Sequence, residues 1–307
     1  MFQKLRKSKK LLLVAMACAT FAIAGCGSDT TKNAADNGNA VTWSETFDGT
    51  KTDFAVKSSP THAVSMSQAT TEMMLQLGLE DKMAGTAFKE EEIYPPLQAA
   101  YDKVKVLSDK WPSYEVFMSV KPDFATGWPD SFSKRAIPAD KMIAQKVNIW
   151  LPESMLSTKA DLETNFNDMI KLGEIFGVKS KAEEWVAGQR KTLAAIQDKL
   201  KDLPRKRVFI YDSEDGQPFT AFEGYTTNIL KLIGADNVMS GLGVDKTWAK
   251  GSWETVIAQN PDYIIIADYG TSIRNDDDFQ QKIEKIKSNP QLQDITAVKE
   301  GHFIRVK

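Results

Sequence analysis

From residue 41 onward the chain alternates short apolar runs with stretches whose apolar positions recur every three to four residues. A two-stranded ribbon fits residues 41–56, followed by a strand at Ala63-Val64-Ser65-Met66, a helical stretch from Thr71 to Leu77 and a strand at Met83-Ala84-Gly85-Thr86. Further strands are predicted at Asp123 to Gly127, Val147 to Leu151, Arg207 to Tyr211, Tyr263 to Ala267 and Phe303 to Val306. Strands separated by helical segments predict an α/β protein built on mainly parallel sheets. Leu162 to Phe176 and Ala182 to Leu203 show helical spacing and no strand signal; Trp185, Val186, Leu193, Ile196 and Leu200 carry it in the second, and Pro204 is placed to stop it. A helix of about 22 residues spans about 33 Å, long enough to bridge two lobes.

One pattern occurs twice, 139 residues apart: Ser113-Tyr114-Glu115 followed by Lys121-Pro122-Asp123-Phe124, and Ser252-Trp253-Glu254 followed by Asn260-Pro261-Asp262-Tyr263. Each copy predicts a Ser N-cap, a short helix with Glu in its first turn, a Pro that stops the helix, and then a strand. Two equivalent helix-strand units predict two similar lobes.

The first residues obey another rule. Lys4, Arg6, Lys7, Lys9 and Lys10 precede the apolar run Leu11 to Ala17, and small residues lead to Ile23-Ala24-Gly25-Cys26. A charged start, an apolar run shorter than a membrane span and a small-residue cleavage site predict an export signal over 1–25. Residues 27–40, GSDTTKNAADNGNA, have no periodicity and almost no apolar content, as expected of a flexible tether. The expected division is therefore a signal peptide at 1–25, a tether at 26–40, an N-terminal lobe at 41–178, a bridging helix at 179–203 and a C-terminal lobe at 204–307.

Composition narrows the chemistry. With 42% hydrophobic and 26% charged residues the chain has the makeup of a globular protein rather than a disordered one. The formal charge is −2, and setting aside the five cations of the leader, which has no acid, leaves −7 on the rest. A net-acidic body argues against nucleic acid as a partner. Of the 2 cysteines, Cys18 lies in the leader and Cys26 at its end, which leaves no thiol for a disulfide, a zinc site or a nucleophile. The 2 histidines, His62 and His302, supply a multi-histidine metal site poorly and read as turn or strand-end residues. No nucleophile elbow, Walker loop, zinc-protease motif or intact dinucleotide fingerprint is present; Gly241-Leu242-Gly243 lacks the third glycine. Glu90-Glu91-Glu92 and Asp276-Asp277-Asp278 read as solvated charges, without the alternation of a calcium loop.

Taken in order, Ile23-Ala24-Gly25-Cys26, then Pro60 to Gly85, Tyr114 to Asp123, Pro218-Phe219-Thr220-Ala221 and Trp248 to Asp262 resemble the substrate-binding lipoproteins of ABC importers for cobalamin, iron-siderophores and haem. The resemblance implies two Rossmann-like α/β lobes joined by a single long helix, with the ligand in the cleft between them. It implies that Cys26 is the lipidated first residue of an exported protein anchored to the membrane through lipid alone, in the periplasm or on the outer face of the cytoplasmic membrane. It further implies that Glu115 and Glu254, one per lobe, dock on the two subunits of a permease dimer. The competing reading of these glutamates is complementation of the helix dipole.

Aromatic side chains line the cleft in the cobalamin-binding branch, and Phe88, Trp128, Phe219 and Trp248 match those positions, whereas Trp185 and Trp253 read as core. A flat macrocycle gains from such walls by area burial and stacking. Relative to the family pattern the chain stops early, at Arg305-Val306-Lys307, before an expected loop and C-terminal helix. The expected function is capture of a metal chelate, of the cobalamin or ferric-siderophore class, and its delivery to the importer without catalysis, resident metal or cofactor. Alternatives are a haem or free metal-ion carrier and, further off, an exported enzyme.

Overall fold

The computed structural model describes residues 40–268 and 279–306. The expected leader, Cys26, the tether up to residue 39 and the run Asp276 to Asp278 lie outside the described residues.

β1 (Val41–Phe47) and β2 (Thr50–Val56) form an antiparallel ribbon in which Phe47 pairs with Thr50. Their connection is Asp48-Gly49 with φ of 48° and 79°, the left-handed pair that a two-residue hairpin requires. β3 (Ala63–Ser65), α1 (Gln68–Gln76), β4 (Met83–Ala87), α2 (Gln98–Tyr101), β5 (Val106–Ser108), α3 (Tyr114–Ser119), β6 (Phe124–Thr126), α4 (Ala139–Ala144) and β7 (Asn148–Trp150) follow. The five strands β3 to β7 form one parallel sheet in the order β5-β4-β3-β6-β7.

The ribbon covers the edge of this sheet through side chains: Trp43 Nε1 donates to the Ile149 carbonyl at 2.7 Å, and a Glu45 carboxylate oxygen accepts from Leu151 N at 3.0 Å. Backbone groups next to an edge strand thus find partners without a sixth strand. α5 (Leu162–Ile175) and α6 (Lys179–Leu200) lie next in the chain, and Phe166, Met169, Leu172, Ala182 and Val186 pack with Met74, Leu75 and Phe124 in one core cluster. A second cluster, with Phe117, Phe132, Ile137 and Met142, includes Val64, Ala125 and Ile149 of the sheet.

The later half repeats the plan. β8 (Lys206–Tyr211), β9 (Ser213–Asp215), β10 (Gln217–Ala221), α7 (Tyr225–Leu232), β11 (Ala235–Asn237), β12 (Trp248–Lys250), α8 (Trp253–Gln259), β13 (Tyr263–Ala267), α9 (Phe279–Ser288), α10 (Thr296–Glu300) and β14 (Phe303–Val306) complete the described chain. β11-β8-β13-β14 is a second parallel sheet, and β12-β10-β9 a small antiparallel one. Phe209, Tyr211, Trp253, Val256, Ile264 and Ile266 centre its main core.

Several boundaries differ from the sequence expectation. The long helix ends at Leu200, four residues before Pro204, so the proline bars its continuation rather than terminating it. Phe219 and the residues around it, expected only as a cleft position, lie within a strand, β10. β5, β9, β11 and β12 were not expected: β9 (SED) and β11 (ADN) are polar or nearly so, and β5 and β12 are three-residue strands carrying only one or two large apolar side chains. Trp253 is buried as expected, and Trp185 is half-buried against the first cluster, edge-on to Phe166 at 6.2 Å.

Both sheets reverse their order of growth. In the first the chain builds outward from β3 through β4 to β5, then returns to add β6 and β7 on the other side of β3. In the second β11 is added on one side of β8, and β13 and β14 on the other. Such switch points, between β3 and β6 and between β8 and β13, are where open α/β sheets place ligands, outside the carboxyl ends of the strands.

Candidate functional site

Gly127 follows β6 at the first switch point. A Cβ there would come 2.8 Å from the Met66 Cβ, so the close approach of the two strand ends depends on glycine. Trp128 comes next and precedes the short turn Pro129–Phe132. Its Nε1 donates to Glu90 Oε2 at 3.2 Å. Phe88, one residue past β4, has φ of 59° and stacks on Trp111, with ring centroids 4.6 Å apart and planes 16° from parallel. Trp111 Nε1 in turn donates to the Met66 carbonyl at 3.1 Å. A bulky residue with positive φ is strained and persists only where its surroundings fix it; here the Phe88 carbonyl accepts from Gln68 N at 3.1 Å.

Gln68, the first residue of α1, organises the loop that carries Glu90. Its Oε1 accepts from the backbone N of Glu90 and Glu91 at 2.9 and 2.7 Å, and its Nε2 donates to the Glu92 carbonyl and to Glu72 Oε1. Glu90 is therefore not a solvated charge as its neighbours suggested. Burial pushes its carboxyl above the usual range, and the Trp128 hydrogen bond offsets only part of that. Beneath this loop Ser65, Ser67, Thr70, Thr71 and Thr86 are all buried and share hydroxyl hydrogen bonds of 2.6 to 2.8 Å. A fully partnered network of this kind holds the start of α1 rigid.

In the second half Phe219 on β10 and Trp248 on β12 stack with centroids 6.2 Å apart and planes 17° from parallel. The register explains it: Ala221 pairs with Trp248, and Phe219, two residues earlier on the same strand, shares that face. Trp248 remains 37% exposed, a large aromatic surface still open to solvent. At the switch point itself Asp212 follows β8 and Asp268 follows β13, both buried. Buried Lys282 donates to the Asp212 and Ala267 carbonyls, and Arg305 of β14 pairs with Asp268. Glu214 accepts from Tyr211 OH at 3.0 Å and Trp253 Nε1 at 3.3 Å, which fixes the hairpin bearing Phe219.

The structure thus joins Phe88 to Trp111, Trp128 to Glu90, and Phe219 to Trp248. Trp111, Glu90 and Gln68 were missed in the sequence. Trp111 carried a usable signal, a large aromatic directly before Pro112 in a stretch without helical spacing; Glu90 and Gln68 carried none. Glu115 and Glu254 are both exposed in the first turns of α3 and α8. Their helices are capped alike, Ser113 Oγ accepting from Val116 N at 3.3 Å and Ser252 Oγ from Thr255 N at 3.1 Å. The helix-start backbone N–H and the Ser113 hydroxyl hold the Glu115 carboxyl below its ordinary value.

The histidines sit at the opposite ends of the strands. His62 immediately precedes β3, and His302 precedes β14, where it stacks on Tyr263 at 4.7 Å and contacts the Asp262 carbonyl at 3.1 Å. Among the described residues no three His, Cys, Asp or Glu side chains gather to hold a metal ion, and no helix of the described residues is long and apolar enough to cross a membrane.

Two parallel sheets with topological switch points, stacked aromatics in the loops after β4 and β5 of the first and on the antiparallel hairpin strands β10 and β12 of the later half, are an architecture shared by solute-binding proteins. The chain belongs to the family described as periplasmic binding protein, whose model matches residues 64–307. It is 26% identical to the uncharacterized ABC transporter substrate-binding lipoprotein YvrC of Bacillus subtilis (strain 168), over 85% of this chain and 82% of that one. It is 23% identical to the vitamin B12-binding protein of Vibrio vulnificus (strain YJ016), over 78% of this chain and 79% of that one. A crystal structure of a periplasmic binding protein from Veillonella parvula DSM 2008 is 96% identical, with a TM-score of 0.85, and the match covers 88% of this chain and 91% of that one. The resemblance read from the sequence therefore stands, as does the α/β architecture built on parallel sheets: the chain is a binding protein of this family, not an enzyme.

Proposed function

We propose that the protein captures a metal chelate, of the cobalamin or ferric-siderophore class, between the aromatic residues of its two halves and hands it to an ABC permease. The observation that carries this reading is the pair of stacked aromatic surfaces, Phe88 with Trp111 beside the first parallel sheet and Phe219 with Trp248 on the small antiparallel sheet of the later half. Rigid aromatic walls gain area burial and stacking with a planar ligand at small entropic cost. In this reading Trp128 and its Glu90 partner complete the wall of the first lobe, and α6 is the stiff connector that fixes the spacing of the two lobes. The name of the Vibrio vulnificus relative, a vitamin B12-binding protein, supports the same class of ligand.

Delivery has its own residues. Glu115 and Glu254, exposed on equivalent capped helices, offer two like anionic surfaces to a permease made of two subunits, where arginines could meet them in pairs. Cys26 carries the lipid that keeps the exported protein at the membrane, a reading supported by the lipoprotein name of YvrC.

Intrinsic tryptophan fluorescence, titrated with cyanocobalamin, haem and a set of ferric siderophores, tests the ligand class. Saturable quenching by cyanocobalamin or a ferric siderophore is expected. Trp248→Ala should weaken that binding by about 1 to 3 kcal/mol while moving the unfolding midpoint little, because the side chain is more than a third exposed. Quenching by haem alone would replace the ligand class, and unchanged affinity in Trp248→Ala would remove the aromatic wall from the site.

A further inference from the structure

A cavity of about 610 Å³ opens in the first half of the molecule between α1, α5, α6 and the turn that follows Tyr94. None of Phe88, Trp111 or Trp128 lines it, so it is separate from the aromatic wall described above. Its size is that of an ordinary small-molecule site. Met73, Leu97 and Met169 give it apolar walls, and Tyr94 and Trp185 add aromatic ones. Tyr94 is 55% exposed, a large ring left uncovered at the rim.

The charge pattern selects the occupant. Glu72 is the single ionisable acid or base among the lining residues apart from the Tyr94 phenol, and the other polar groups are the neutral amides of Gln76, Asn165 and Gln189. Two donors fix one oxygen of the Glu72 carboxylate in place, Gln68 Nε2 at 2.9 Å and Tyr94 N at 3.1 Å, and no lysine or arginine lines the cavity to neutralise it. An anion would be repelled by Glu72. A neutral apolar molecule would desolvate the carboxylate with nothing in return. A hard metal ion would need several more oxygen ligands than one carboxylate and three amides converging on one point. A cation with an apolar shell satisfies all the walls at once, because its charge faces the carboxylate and its methyl groups pack on the aromatic faces.

We propose that this cavity is a second binding site, for a small organic cation of the quaternary or methylated ammonium class, with its charge on Glu72 and its methyl groups against Trp185 and Tyr94. The proposal does not depend on the identity of the chelate.

Calorimetric titration of the protein with choline, and with 3,3-dimethylbutan-1-ol as its uncharged isostere, tests it. Choline should bind saturably to one site and the isostere at least about tenfold more weakly. Glu72→Gln keeps an acceptor for Gln68 and Tyr94 N, and should cost choline about tenfold or more while leaving the isostere unchanged. Gln76→Lys sets a competing ammonium one turn along α1 and should abolish choline binding; Trp248→Ala should leave it intact. Unfolding midpoints of each variant establish that the fold is retained. Absence of choline binding, equal affinity for choline and its isostere, or full choline affinity in Gln76→Lys would each overturn the proposal. Loss of choline binding in Trp248→Ala would move the cation to the aromatic wall and overturn it as well.

Discussion

Glu45 shows how one buried acid gives the fold a pH response of its own. It is 7% exposed on β1, and its hydrogen bond from Leu151 N ties the ribbon to the end of β7. Burial pushes its carboxyl from 4.5 up to about 7, the Leu151 N–H works against this, and Asp168 adds to it. Asp168 is itself raised by burial, although it accepts from Glu153 N and Ser154 N at 2.9 Å. Between pH 4.5 and about 7 the folded state keeps a Glu45 proton that the unfolded chain releases, so the contribution is complete below 4.5 and lost as pH rises through 7. The unfolding free energy should fall by about 1 to 3 kcal/mol over that interval through this residue. Glu45→Gln preserves the acceptor for Leu151 N and should flatten the fall. Urea unfolding at a series of pH values checks this, and parallel profiles for the two proteins would rule it out. Nothing in the ribbon's alternation marked Glu45, because its environment is made by a loop 106 residues away.

At the scale of elements, the repeated Pro-Asp has a structural task in both halves. Asp123 accepts from Thr61 N, His62 N and Thr61 Oγ1 at 2.8 to 3.1 Å, and Asp262 accepts from Arg207 N at 2.8 Å. Each carboxylate therefore pins the amino end of the central strand, β3 or β8, beside the strand that it opens. The residue before each proline, Lys121 or Asn260, is left-handed with φ of 50° or 43°, so the backbone reverses the same way twice. Asp123→Ala and Asp262→Ala should each destabilise by about 1 to 2 kcal/mol, the first more because it loses more hydrogen bonds. Chemical denaturation measures both, and an unchanged midpoint for Asp123→Ala would show the cap to be dispensable. This unit was legible in the sequence because capping Ser, first-turn Glu and helix-stopping Pro act locally, within a dozen residues, whereas the long-range task of each Asp was not. The pairing of β10 with β12 was not legible either, because it joins segments about thirty residues apart, and so the Phe219 and Trp248 stack could be expected as two cleft residues but not as a pair.

Across the whole molecule, what the sequence could reveal was periodicity: two runs of parallel strands separated by a long helical stretch. What it could not reveal was connectivity through side chains. Gln68 reads as an ordinary polar helix-start residue, yet it anchors the Glu90 loop and through it Trp128. The duplicated halves nevertheless make a requirement that a single lobe would not. Complementation of the helix dipole would leave ligand delivery indifferent to the charge at these two positions, whereas the proposed docking on a two-subunit permease depends on both. Reversing Glu115 and Glu254 to Arg replaces attraction by like-charge contact, which costs several kcal/mol in an interface. Both side chains are exposed, so ligand affinity and fold should not change. The most direct measurement is chelate uptake by cells carrying the Glu115→Arg, Glu254→Arg double variant, beside ligand affinity of the same purified protein. Uptake should be abolished with affinity intact, and more severely than in either single variant; normal uptake in the double variant would contradict delivery through these two surfaces.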